Sequence, residues 1–191
     1  MSAATLDARK LTTATLLGVI VFLIKGPLLA PYADFLLIFE AMLAGLGFAL
    51  LGRGGATFVE VVNGLLLTAY EAITVPPLAP FVFPLALLFG VLIDGTGVAL
   101  RVRNGSLLSA KRLAAGVTIS SAVTGTVAYF ITLSALISLG FLPNDPTADV
   151  QLGLAVILIG VVEGAAGGYL AARIWERNLK RRFSVAATVQ P

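Results

Sequence analysis

Four acidic residues lie inside long apolar stretches of this sequence, where an ionised side chain is unfavourable. They are Glu40, Glu60, Asp94 and Glu163, and a fifth, Glu71, lies near the end of the third apolar stretch. A charge inside a membrane-spanning segment costs roughly 3 kcal/mol or more, so these residues are the first candidates for a functional site. No basic residue lies in the middle of an apolar stretch. We therefore expect Glu40 and Glu163 to be protonated, hydrogen-bonded to polar side chains, or matched by a bound ligand.

Depth along the helices separates these carboxylates into two groups. With a rise of about 1.5 Å per residue, Glu40 lies about 18 Å and Glu163 about 15 Å from the end of its helix, close to the membrane centre. Glu60 and Asp94 lie closer to the helix ends that carry arginines, on one side of the membrane. Water and arginine side chains are expected within reach there. The deeper pair is therefore the better candidate for a ligand site.

Polar and aromatic side chains lie near Glu40, in the half of the helices that is farther from Glu60 and Asp94. Asn63 and Tyr70 lie in the third apolar stretch, which also carries Glu71. A carboxylate among aromatic rings suits a flat, nitrogen-rich ring, through stacking and hydrogen bonds. Aromatic belts at a membrane interface are the alternative explanation of the rings. The predicted ligand contacts are Glu40, Asn63, Tyr70 and Glu71, followed by Glu163.

The residues of most common catalytic sites are missing. The chain contains neither Cys nor His, which excludes thiol nucleophiles, Ser-His-Asp triads and HExxH metal sites. The glycine-rich segment 52–55 lacks the Lys and Ser/Thr of a phosphate-binding loop. We therefore expect no enzyme activity, no cofactor and no metal. Energy for uphill transport would have to come from a partner or an ion gradient.

The composition places these residues in a membrane protein. Of the 191 residues, 58% are hydrophobic and 12% are charged, whereas soluble domains have about 45–50% apolar and 25% charged residues. A spanning helix needs about 20 residues. The sequence therefore predicts one all-α integral membrane domain, residues 1–191, with a basic tail at 176–191 and six transmembrane helices at about 11–24, 33–51, 56–74, 81–100, 113–139 and 150–175.

The basic residues predict the orientation. Twelve of the thirteen fall on one side of the six predicted helices, and only Lys25 falls on the other. Because basic residues favour the cytoplasmic side, both termini are expected in the cytoplasm and the protein in the plasma membrane. A cleaved signal peptide is the alternative for the first apolar stretch.

Small residues spaced by four indicate close helix packing. Helix six carries Gly160, Gly164, Gly168 and Ala172, and similar rows occur in helices two and five. Such rows allow two helices to approach closely. We expect these rows to pack within the bundle. The shorter row of Ala14 and Gly18 on helix one is the best candidate for docking a second membrane subunit.

Three segments resemble the substrate-binding S components of energy-coupling-factor (ECF) vitamin transporters, most closely the group associated with hydroxymethylpyrimidine, a thiamine precursor. They are Phe39-Glu40, the segment Arg53-Gly54-Gly55-Ala56-Thr57-Phe58-Val59-Glu60, and Asp94-Gly95-Thr96-Gly97. The resemblance implies a ligand pocket open to the outside, a transmembrane T component and two cytoplasmic ATPases as partners. It also implies docking through helix one, for which Ala14 and Gly18 are predicted. We further predict that Glu60 and Asp94 take part in coupling and partner docking.

The leading functional hypothesis is therefore a membrane subunit that captures a small water-soluble vitamin or precursor for ATP-driven uptake. One alternative is a structural or assembly subunit of a membrane complex, which would use the small-residue rows as its main surface. Another is an autonomous ion-coupled carrier, in which the buried carboxylates would bind protons. No nucleic-acid partner is expected, because the basic residues are explained by topology.

Overall fold

The computed structural model describes residues 8–28, 37–102, 108–138, 140, 146–180 and 183. Within them all regular structure is helical, so the predicted all-α class is confirmed. Two π-helical turns, Ile24–Leu28 and Trp175–Leu179, extend the first and last helices. The six helices are α1 (Ala8–Leu23), α2 (Leu37–Leu51), α3 (Gly55–Thr74), α4 (Ala79–Ala99), α5 (Ala110–Ser138) and α6 (Pro146–Ile174).

Five of these helices are long and apolar enough to cross a membrane, as expected of a membrane-spanning protein. The exception is α2, whose 15 residues span about 22 Å, against a hydrocarbon core of about 30 Å. Its predicted first part, residues 33–36, lies outside the described residues. The other helices begin and end within a few residues of their predicted positions, because charges, glycines and prolines separate the apolar stretches.

The shortest helix, α2, is also the central one. Ten of its fifteen residues are buried, and it packs against α6, α3 and α1. Glycines on α2 make this possible: a Cβ on Gly47 would lie 2.7 Å from the carbonyl oxygen of Gly55, and one on Gly45 would lie 3.1 Å from the Cβ of Ala171. A helix that is apolar all round is suited to this fully surrounded position.

The short turn between α2 and α3 places the start of α3 beside α2. Gly52 and Gly54 adopt positive φ angles of 78° and 85°, a backbone conformation that glycine tolerates best. The chain reverses within three residues, so α2 and α3 run antiparallel as close neighbours. Glu40 and the polar residues of α3 are thereby brought to the same interface.

The small-residue row of α6 packs within the bundle, as expected. Added Cβ atoms on Gly164 and Gly168 would lie 2.7 Å from the Cα atoms of Thr118 and Ala114 on α5. Another face of α6 carries exposed leucines and valines, including Leu154, Leu158 and Val162. One side of this helix therefore contacts protein closely, while the other presents apolar side chains suited to lipid.

The row on α1 is also covered. Ala14 is fully buried, and a Cβ on Gly18 would lie 2.7 Å from the carbonyl oxygen of Val59 and from the Cβ of Val62 on α3. A partner could reach these two residues only if α1 separated from α3. Docking through Ala14 and Gly18 stays a prediction that requires this rearrangement.

Candidate functional site: a buried ion-paired cluster

A salt bridge joins the end of the first helix to α2. The ammonium of Lys25 donates to both carboxylate oxygens of Glu40, with Nζ 3.0 Å from Oε1 and 2.9 Å from Oε2. About 20% of the Lys25 side chain and 6% of that of Glu40 remain exposed. The expectation that no basic residue of the protein pairs with Glu40 is therefore wrong.

The reason lies in the π-helical turn Ile24–Leu28. The predicted helix one ends at Ile24, so Lys25 is expected outside the helix, on the side opposite the other basic residues. In the structure the helix continues through this turn, which directs Lys25 toward α2. Lys25 is the one functional candidate that sequence reasoning missed. Its isolation from the other twelve basic residues was the available signal.

Asn63 extends the cluster from Glu40 to a second carboxylate. Its amide nitrogen donates to Oε2 of Glu60 at 2.9 Å and, more weakly, to Oε1 of Glu40 at 3.4 Å. Both Asn63 and Glu60 are fully buried. The expectation that Glu60 could reach water or arginine side chains is therefore wrong, since its side chain is enclosed between helices.

Two oxygen atoms of this cluster accept no hydrogen bond from a donor among the described residues. They are Oε1 of Glu60 and Oδ1 of Asn63. Most buried polar atoms in folded proteins are hydrogen-bonded, so such exceptions call for a physical explanation. Two buried acceptors of one cluster that accept no hydrogen bond are suited to a donor group or to a proton.

Tyr70 and Glu71 lie further along α3, on the side of Lys25. The ring of Tyr70 packs edge-on against Phe22 of α1, with centroids 6.2 Å apart, and it also borders Gly26. Glu71 is partly buried and interacts electrostatically with Lys25. The structure therefore brings four of the five predicted ligand contacts, Glu40, Asn63, Tyr70 and Glu71, around one lysine.

The fifth predicted contact, Glu163, comes from a different helix. It lies on α6, which packs mainly against α5 and α2. The neighbouring Gly167 approaches Ala41 and the backbone of α2. The hydrogen bonds described above join the π-helical turn Ile24–Leu28, α2 and α3. A ligand role for Glu163 stays a prediction.

Asp94 stabilises the start of α3. Its carboxylate accepts hydrogen bonds from the backbone N–H groups of Ala56 at 3.3 Å and Thr57 at 2.9 Å, and from the Thr57 hydroxyl. A carboxylate at a helix N-terminus satisfies free N–H groups and interacts favourably with the helix dipole. Asp94 therefore binds α3 rather than water or an arginine, and its coupling role stays a prediction. The contact also joins two of the three segments that carry the family resemblance.

A cavity of about 220 Å³ lies elsewhere, lined by Ala110, Tyr169, Arg173, Glu176 and Arg177. Its charged side chains are exposed, and Arg173 donates to the Tyr169 hydroxyl at 2.7 Å. Exposed arginines are expected at the cytoplasmic end of such a bundle. We assign the candidate site to the buried cluster that contains Lys25, Glu40, Asn63 and Glu60. Its buried polar groups require a physical explanation, whereas exposed ones do not.

The fold and this cluster define an all-helical protein with membrane-spanning helices and a buried, ion-paired polar site. Comparisons of the chain with protein-family models, curated proteins and solved structures found no match. Within the described residues, no group of three or more Asp, Glu, His or Cys residues could hold a metal ion. The chemistry of the buried cluster is therefore the feature that points to a function.

Proposed function

We propose that this protein is the substrate-binding membrane subunit of an importer for a small water-soluble vitamin or vitamin precursor, of the ECF type. In this proposal it crosses the plasma membrane six times with both termini in the cytoplasm. A transmembrane T component and two cytoplasmic ATPases supply the energy for uptake. The proposal is supported by the helical bundle and by the three segments that resemble S components.

The observation that carries the proposal is the pair of buried acceptors, Oε1 of Glu60 and Oδ1 of Asn63, that have no donor. A ligand with N–H or O–H groups would supply the missing donors. Buried acceptors also favour such a ligand strongly over an analogue that lacks the donors, because that analogue would leave them unpaired.

Lys25 and Tyr70 indicate how the ligand is positioned. The Lys25–Glu40 salt bridge lies beside Asn63 and has one part-exposed partner, while the aromatic pair of Phe22 and Tyr70 borders Gly26 next to Lys25. A flat nitrogen-rich ring would pack against Tyr70 and direct its donors along α3 toward Asn63. Hydroxymethylpyrimidine and thiamine have this chemistry.

The first test is to identify what the protein binds. The chain is purified from membranes, small molecules are extracted and analysed by mass spectrometry, and binding of hydroxymethylpyrimidine and thiamine is measured by calorimetry. We expect a co-purified nitrogen heterocycle and sub-micromolar affinity. Absence of both would contradict the proposal.

Variants then test where the ligand binds. Asn63→Leu removes the amide at nearly the same size, and we expect at least about tenfold weaker binding, which corresponds to about 1.4 kcal/mol. Tyr70→Ala should weaken binding through lost ring contact. Thr12→Ala is the control, because Thr12 is exposed near the start of α1 and bonds only within its own helix. Equal effects of Asn63→Leu and Thr12→Ala would place the ligand elsewhere.

An autonomous ion-coupled carrier is the second candidate, favoured by one observation. Two buried carboxylates, Glu40 and Glu60, share Asn63 and a single lysine, an arrangement that can exchange a proton. Transport by the purified chain alone in proteoliposomes, without ATPases, would favour this candidate. An assembly role has less support, since the rows of α1 and α6 are covered by α3 and α5.

A further inference from the structure

The charges of the cluster do not balance. Lys25 supplies one positive charge, while Glu40 and Glu60 supply two negative charges when ionised. The charged groups that act most strongly on Glu60 are Glu40 and Lys25. Glu71, the other charged residue near Lys25, is also acidic. Asp94 on α4, which packs against α3, is bonded to the start of that helix instead.

The excess negative charge lies on carboxylates that are shielded from water, where ionisation is unfavourable. Glu60 has no exposed surface and Glu40 only 5%, and one oxygen of Glu60 has no hydrogen-bond partner. An ionised carboxylate shielded from water needs hydrogen bonds and a counter-charge to be stable. Lys25 is already engaged by both oxygens of Glu40. One further positive charge is therefore needed at Glu60.

Asn63 holds the two carboxylates together. Its amide nitrogen is within hydrogen-bond distance of Glu60 Oε2 and Glu40 Oε1 at once. Two carboxylates that share a site do not both ionise readily, and their protons belong to the pair rather than to one residue. When one of the two carboxylates is protonated, the positive charge of Lys25 balances the negative charge of the other.

We propose that, in the substrate-free protein, the Glu40–Glu60 pair binds one exchangeable proton, so that the cluster with Lys25 is neutral. A metal cation fits less well, because such ions require a shell of several oxygens and only two oxygens of the cluster lack partners. A cationic ligand reaching Glu60 would supply the positive charge in place of this proton. Binding of the ligand would then release it.

Infrared difference spectroscopy at neutral pH tests the proton directly. A protonated carboxyl has a C=O stretch that is distinct from the carboxylate bands and shifts in heavy water. Spectra of each variant in lipid nanodiscs are subtracted from that of the wild type. We expect a carboxyl band from the cluster in the wild type and its loss in Glu60→Gln. Glu176→Gln should retain it, since Glu176 is exposed.

Charge counting gives two further outcomes. Glu40→Gln should also remove the band, because Lys25 would then neutralise Glu60 alone. Lys25→Met should make the carboxyl band about twice as large. Both carboxylates then lack a cation, so both are expected to be protonated. Circular dichroism confirms that each variant is folded. This pattern does not depend on the ligand, so it can hold even if no vitamin binds.

Two results would overturn the inference. A band that persists in Glu60→Gln and Glu40→Gln would mean that the proton is not in this pair. A wild-type band that is absent in sodium buffer and appears only when choline replaces sodium would mean that sodium, not a proton, neutralises the pair at ordinary salt concentrations.

Discussion

Lys25 and Glu40 depend on each other because each would be poorly solvated without its partner. The lysine donates to both oxygens of the carboxylate, and only about a fifth of its side chain is exposed. A paired charge with this little access to water is stabilised mainly by its partner, so removing one partner leaves the other unfavourably placed. The pair also fastens the end of the first helix to α2.

Replacing Lys25 with methionine should therefore destabilise the protein. Loss of one partner of a fully buried pair costs roughly 3–5 kcal/mol, and we expect about 2 kcal/mol here because Lys25 is partly exposed. Adding Glu40→Gln to Lys25→Met should recover part of the loss, since only Glu60 then has to be kept neutral without a cation. Thermal unfolding in detergent measures Lys25→Met, Glu40→Gln and the double variant.

Lys111→Met is the matched control for this cycle, because Lys111 is exposed at the start of α5. It should leave the unfolding midpoint within experimental error of the wild type. Strictly additive losses in the double variant would show that Lys25 and Glu40 are not coupled.

At the level of helices, patterns visible in the chain predict most of the architecture. Apolar stretches separated by charges, glycines and prolines predict the helices to within a few residues, because these residues end helices for local reasons. Four-residue spacing correctly predicts that Gly164 packs inside the bundle. The Lys25–Glu40 pair was not predictable in this way, since a π-helical turn changes the direction of a side chain without altering the apolar pattern. Asp94 likewise contacts Thr57 only because α4 packs against α3.

The packing of α5 on α6 depends on glycine at Gly164. A Cβ there would lie 2.7 Å from the Cα of Thr118 and 2.8 Å from the side chain of Ser121. Backbone atoms cannot yield as a flexible side chain can, so Gly164→Ala must push the helices apart. We expect a loss of about 1–3 kcal/mol in the free energy of unfolding, as for other overpacked sites.

Gly95→Ala provides the matched comparison within another helix. Nothing lies within 4 Å of a Cβ at Gly95, and alanine is favoured over glycine inside helices by about 1 kcal/mol. This variant should be as stable as the wild type or slightly more so. Thermal unfolding of the two variants side by side separates packing from helix propensity. A Gly164→Ala protein as stable as Gly95→Ala would refute the close contact.

At the scale of the whole molecule, the two ends of the bundle differ in charge. Basic residues accumulate at the end where α3 and α5 begin, and the turn between α3 and α4 carries no charged residue. Because basic segments are retained in the cytoplasm, this asymmetry indicates one orientation for the bundle. In the proposed orientation the Lys25 side of the polar cluster would face the outside, from which an imported solute would arrive.

The orientation can be tested with single cysteines, because the natural chain contains none. Val75→Cys introduces a thiol at the turn after α3, and Lys111→Cys introduces one at the start of α5. Both positions are exposed. A membrane-impermeant maleimide added to intact cells should label Val75→Cys and leave Lys111→Cys unlabelled until the cells are opened. The reverse pattern would place the termini outside. It would also turn the Lys25 end of the cluster toward the cytoplasm, which is incompatible with capture of a solute from outside.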